Sequence, residues 1–166
     1  MKKILVIILS VFAFVACSKD DNVPFVASMD DLNNTFWQNG SYHQVVYDPD
    51  GSVLKDYYRP ADAQLDGGWL MYYISSNSFI SVSFPSFGSC HISERACIYQ
   101  PDARLLKINS LVYTVLEMSR SRLVLRYTEM MDSNTVITTK EYLPYKSDKT
   151  WKEWLKYIDE YNAEML

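Results

Sequence analysis

Three cysteines, two histidines and a scatter of carboxylates and tyrosines are the side chains of this 166-residue sequence that could do chemistry. Cys90 and Cys97, with His91 beside the first, form the tightest group. As zinc ligands they lack an evident fourth partner and place two donors on adjacent residues, which a tetrahedral site does not favour. If Cys17 is consumed elsewhere, the remaining even pair reads as a disulfide, with two free thiols as the alternative. Closing a loop of about eight residues would stabilise the fold by ~2–3 kcal/mol through the denatured chain. Asp56, Glu117, Glu129 and Glu141 could pair across strands, yet most carboxylates read as solvated faces. Ser89 beside Gly88 lacks the second glycine and the strand-to-helix turn of a nucleophile elbow. Asp48-Pro49-Asp50-Gly51 lacks the further acidic residue and the closing Glu of a calcium loop, and reads as a tight turn. The expectation is a non-enzyme with no metal and no cofactor.

Aromatic residues make up 14% of the chain, and tyrosines occur as adjacent pairs, Tyr57-Tyr58 and Tyr72-Tyr73. In a strand the two members of each pair face opposite sides. Tyr58, Trp69, Tyr72 and Tyr73 are therefore the candidate ligand contacts, forming a lumen or an outer platform that stacks an apolar ligand or a sugar ring. The plain alternative is that tyrosine suits half-buried strands in general.

Cys17 has a different context. Lys2 and Lys3 open the chain, residues 4–16 are apolar or small, and Ala16 is the small residue a processing peptidase needs. Thirteen residues span about 20 Å as a helix against a hydrocarbon core of about 30 Å, too short for a transmembrane anchor. The order Phe14-Val15-Ala16-Cys17 resembles the bacterial lipobox, with Phe14 in place of the more usual Leu. That resemblance implies cleavage before Cys17 and fatty acyl chains such as palmitate on it, which at ~0.8 kcal/mol per buried methylene would hold the chain to a membrane. Ser18, Lys19, Asp20 and Asp21 resemble the export signal of Bacteroidota surface lipoproteins. The implied location is the outer membrane with the protein exposed at the cell surface, the periplasmic face being the alternative.

The chain carries a net charge of −4, and losing Lys2 and Lys3 makes it more negative by two. No Lys/Arg cluster survives outside the signal, which argues against nucleic acid and against a polybasic membrane patch.

Residues 17–31 read as the lipidated N-terminus and a polar tether, and residues 32–166 as one folded domain. Asn39 and Gly40 predict a hairpin between residues 35–37 and 42–47, and Asp48-Pro49-Asp50-Gly51 predicts the next turn. Strands are expected over residues 53–58, 69–74, 79–84, 98–99, 105–108, 111–118, 122–128 and 135–143. Residues 85–96 break the alternation and read as an irregular excursion that holds Cys90 and ends against Cys97. The fold class is therefore all-β, an antiparallel meander of 8–10 strands closing into a barrel. Alternation puts Leu106, Ile108, Tyr113, Val115, Leu123, Leu125 and Tyr127 on one side, with Lys107, Thr114 and Arg126 on the other. Thr150 and Glu153 have capping-box spacing, and Trp151, Trp154, Leu155, Ile158 and Met165 form one stripe of a C-terminal helix over 150–165.

The run YQPDARLLKINSLVYTVLEMSRSRLVL, residues 99–125, resembles the lipocalin-like domains of small Bacteroidota lipoproteins. Tyr113, Val115, Met118, Leu123 and Leu125 occupy that family's strand–turn–strand positions. Trp37 falls at its first-strand Trp, although Thr35 and Phe36 replace the Gly-containing lead-in. The resemblance implies a lipocalin-like β-barrel with a C-terminal α-helix, acting as a non-catalytic binding module for a small apolar or glycan ligand. The alternative is an accessory lipoprotein that docks a protein partner through residues 85–97 or the C-terminal helix.

Overall fold

A computed structural model describes residues 29–61 and 68–165. Cys17 and the run Ser18, Lys19, Asp20 and Asp21 lie outside the described residues, as do the signal segment and most of the expected tether.

A 3-10 turn (Met29–Leu32) leads into nine strands: β1 (Thr35–Tyr47), β2 (Val53–Arg59), β3 (Gly68–Ile74), β4 (Ser78–Pro85), β5 (His91–Gln100), β6 (Leu105–Ile108), β7 (Leu111–Met118), β8 (Leu123–Met131) and β9 (Asn134–Pro144). The helix α1 (Trp151–Glu164) follows. From β3 to β9 each strand pairs antiparallel with the next, and β1 pairs with both β3 and β9. That closes an eight-stranded up-and-down barrel of lipocalin-like architecture, which leaves the ring no open edge. β2 is the extra strand. It pairs with residues 42–47 of β1, beyond the stretch 35–38 that holds β3.

Period-two alternation builds the wall. Leu106, Ile108, Tyr113, Val115, Leu123 and Leu125 are buried and Tyr127 is half-buried, while Lys107, Thr114 and Arg126 are exposed, as their parity predicts.

Two expectations are corrected. Asn39 and Gly40 do not form a hairpin: β1 runs through them as one strand. Asn39 faces Tyr142 and Tyr42 faces Lys140, so β1 takes up its extra residue as a β-bulge. Gly40 is required there because a Cβ would lie 2.5 Å from Glu141 Cγ. The Glu141 carboxylate accepts the Ser41 backbone N–H at 2.8 Å, which pins the bulge.

The second correction concerns residues 85–96, the second half of which, from His91 on, belongs to β5 rather than to an irregular excursion. With Cys90 directly before this strand and Cys97 within it, seven extended residues separate the thiols by about 23 Å at ~3.3 Å each, and odd spacing turns them to opposite faces. No disulfide forms between Cys90 and Cys97; both are free and buried. Cys97 packs inside with Leu106 and Ile108, whereas Cys90 packs outside with Met71 and Trp154. The same separation removes the zinc arrangement with His91.

α1 covers the outer wall over β3 and β4. Its start is fixed by the predicted capping box, in which Glu153 accepts the Thr150 N–H at 2.7 Å and Thr150 Oγ1 accepts the Glu153 N–H. Trp154 and Ile158 are buried against Met71 and Val82, and Trp151 stacks on Tyr73 with ring centroids 4.7 Å apart. Leu155 and Met165 of the expected stripe face solvent instead. Near the helix end, Asn162 Oδ1 accepts the Cys90 N–H at 2.6 Å, and its Nδ2 donates to the Cys90 carbonyl at 3.2 Å.

Candidate functional site

Along the barrel axis the inward side chains change character. At the end where β1 begins, Leu32, Trp37, Ile74, Met118 and Leu123 fill the interior completely. Towards the opposite end the inward positions become Tyr72, Arg95, Tyr113 and Lys140, and here a cavity of about 290 Å³ opens. Leu70, Phe79, Ser81, Ile108 and Tyr142 complete its lining. An adjoining notch of about 250 Å³ shares Leu70, Tyr72 and Lys140 and adds Asn39, Tyr42 and Arg59, where β1 exchanges β3 for β2.

The floor of the cavity is an aromatic box. Tyr72 and Tyr142 meet edge to face at 4.9 Å, and Phe79 lies 5.4 Å from Tyr72 and 5.6 Å from Tyr142. Such contacts add about 0.5–1.5 kcal/mol each beyond burial, so the box is a rigid wall rather than a loose one. Tyr72 Oη donates to Asn39 Oδ1 at 2.8 Å, tying the box to the bulge. Burial pushes the Tyr72 phenol up to about 12 and the Tyr142 phenol well above its ordinary value, with Arg59 and Arg95 acting against the first and Arg95 against the second. Both are therefore neutral phenols at physiological pH. Burial also lowers the Lys140 ammonium, as does Arg95, while Glu129 works the other way. The Lys140 Nζ lies 5.5 Å from the centre of the Tyr127 ring.

Of the four predicted contacts, only Tyr72 lines this cavity. Trp69 and Tyr73 have the opposite parity on β3 and lie under α1, Trp69 against Phe84 at 4.6 Å and Tyr73 against Trp151. Tyr58, on β2, is 62% exposed beside His43 and faces away from the lumen. The site residues that the sequence reading missed are Tyr42, Arg59, Arg95, Tyr113, Lys140 and Tyr142. A signal for two of them existed: Lys140 lies two residues before inward Tyr142, and Arg95 two before inward Cys97, so each charge sits on a core parity.

Two of the four carboxylates converge, but only on a shared cation. Glu117 and Glu141 both engage Arg122, and Asp56 meets His43 Nε2 at 2.8 Å. Among the described residues no group of three or more His, Cys, Asp or Glu could hold a metal ion. A wider hollow of about 940 Å³ lies outside the barrel, between Phe36, Tyr73 and the 144–152 segment. Lys146 and Lys152 at its rim are exposed, and the half-buried Lys149 lies over the Trp154 ring.

What this cavity offers is an apolar wall, hydroxyls and fixed positive charge, with no activated nucleophile. No family model matches the chain, and no curated protein matches it. Among solved structures it is similar to a deswapped triple mutant of bovine odorant binding protein, at 15% identity over 81% of this chain and 86% of that one, with a TM-score of 0.37. It is similar also to insecticyanin from the tobacco hornworm Manduca sexta, at 13% identity over 86% of this chain and 80% of that one, with a TM-score of 0.42. Likeness at this level concerns the course of the backbone alone.

Proposed function

We propose that this protein is a non-catalytic binding module whose barrel takes up a small organic ligand with an apolar part. One observation carries the reading: the lumen is filled at one end and open at the other, where aromatic side chains line a cavity of about 290 Å³. That volume lies at the small end of ligand sites, roughly 300–1,000 Å³, so the ligand is short. The neutral fluorescent probe N-phenyl-1-naphthylamine should bind the purified protein saturably at one site. Ser81→Trp, which fills the cavity from β4, should abolish that binding while the thermal unfolding transition stays cooperative. Equal binding by both proteins would place the probe outside the lumen and end the proposal.

The reading includes anchorage by acyl chains on Cys17 and display at the cell surface through Ser18, Lys19, Asp20 and Asp21. The described chain begins at the filled end of the barrel, where Met29 and Leu32 are buried. Replacing Lys19, Asp20 and Asp21 with Ala should leave lipidation intact and remove surface labelling of intact cells. Persistent labelling would reduce those residues to a solvated tether.

A further inference from the structure

We propose that the lumen selects an anion, a short amphiphile whose carboxylate lies against Arg95 and Lys140 while its tail follows Leu70 and Phe79. This deepens the binding reading above and rests on it.

The charge balance of the lumen runs against that of the chain. The sequence as a whole is acidic, at −4, yet three cations line the cavity and its notch: Arg59 from β2, Arg95 from β5 and Lys140 from β9. The other titratable groups turned to the same space are Tyr42, Tyr72, Tyr113, Tyr127 and Tyr142, and two carboxylates, Glu129 and, at the notch, Glu141, which is already held by Arg122 and the Ser41 N–H. β4 contributes only Phe79 and Ser81 and β6 only Ile108, none of which titrates.

Arg122 bridges Glu117 and Glu141 on the outside of the barrel. By contrast, no ion pair or side-chain hydrogen bond engages Arg95, which is exposed at the mouth, or the half-buried Lys140 among the described residues; Lys140 has the face of Tyr127 and the more distant pull of Glu129. A cation–π contact offsets only part of what desolvating an ammonium costs. Arg95 also repels Lys140, and the same guanidinium acts on Tyr72, Tyr113 and Tyr142. The positive potential is therefore focused on the aromatic box, where one bound carboxylate would relieve the repulsion and accept from both cations. Guanidinium and ammonium groups donate only, so a ligand cation finds no complement in them. The Tyr113 and Tyr142 hydroxyls have no hydrogen-bond partner among the described residues, which leaves two neutral donors beside the charged pair.

Calorimetric titration of the purified full chain at pH 7 with octanoate, octan-1-ol and octylammonium tests this. Octanoate should bind about tenfold or more tighter than octan-1-ol, because charge-assisted hydrogen bonds are roughly twice as strong as neutral ones. Octylammonium should bind more weakly than either. The double variant Arg95→Gln, Lys140→Gln should bring the octanoate-to-octanol ratio close to one, and Lys107→Gln, on the outer face of β6, should leave it unchanged. Lys140→Arg, which keeps the charge, should retain the preference and serves if the double variant fails to fold. Equal affinity of the native protein for octanoate and octan-1-ol would overturn the anion inference and leave the binding module standing. Absence of binding by all three would overturn both.

Discussion

The closed and open halves of this barrel are continuous along the same strands and obey the same alternation, yet their inward positions carry opposite chemistry. On β5, Cys97 is packed into the closed half while Arg95, one inward position further along, lines the cavity. On β1 the inward series runs from Trp37, 1% exposed, to Asn39 and then to Tyr42 at the notch. Apolar burial in the closed half supplies stability in proportion to area, at about 25 cal/mol per Å². The open half holds side chains that oppose folding, an unpaired ammonium among them, and its shape depends on the rigidity of the half below. A stable floor and a costly mouth are thus complementary parts of one device, and each can be perturbed alone.

The difference between the two halves is tested most directly at Trp37. Trp37→Ala should cost about 3–5 kcal/mol in chemical denaturation, the range for emptying a large aromatic site in a packed core. Tyr113→Phe removes a hydroxyl that has no partner among the described residues, and should change stability by about 0.5 kcal/mol or less. Similar losses for the two would mean that the halves are not energetically distinct.

Alkaline titration sharpens the contrast next. Burial raises Tyr72 in the folded protein from 10.0 to about 12, so the stability it carries is complete below pH 10 and is lost as the pH climbs through 12. The effect is on the order of 2 kcal/mol. Lys140, lowered by burial, contributes in the opposite sense: between its depressed value and the ordinary 10.5 the unfolded chain binds more protons, so stability rises with pH there. Phenolate absorbance followed with far-UV circular dichroism should show Tyr72 ionising only with unfolding. Ionisation near pH 10 in the folded protein would mean that the aromatic box is wet.

The smallest effect is at the thiols. Cys97 is pushed up to about 11 by burial in the closed half, which leaves roughly one thiolate in ten thousand at pH 7. Burial beneath α1 raises the Cys90 thiol as well. Alkylation followed by mass spectrometry should label neither Cys90 nor Cys97 in the folded protein and both after unfolding. A pair that resists alkylation after unfolding without reductant would restore the disulfide.

Much of the wall was legible because its signals are local. Alternation over β6, β7 and β8 identifies the inward face, Asp48-Pro49-Asp50-Gly51 carries the β1–β2 turn through side-chain and backbone hydrogen bonds within itself, and Thr150 and Glu153 cap α1 across one helical turn. The Asn39-Gly40 pair is the instructive failure. The same dipeptide fits a tight turn or a bulge, and the choice falls to the Glu141 carboxylate, 100 residues away along the chain, which fixes Ser41 and leaves no room for a side chain at Gly40.

By itself, then, the sequence determines that the domain is an antiparallel barrel with a capped terminal helix, because a period of two and a cap are properties of neighbouring residues. Only the tertiary structure decides the site. Alternation says that Tyr72 and Tyr73 face opposite sides, but which side is lumen depends on the direction of barrel curvature and on where α1 lies. The separation of Cys90 from Cys97 depends on β4 holding β5 extended, and the meeting of Arg95 with Lys140 depends on closure through β1 and β9. Each of these brings together residues far apart in the chain, and no local pattern encodes such a distance.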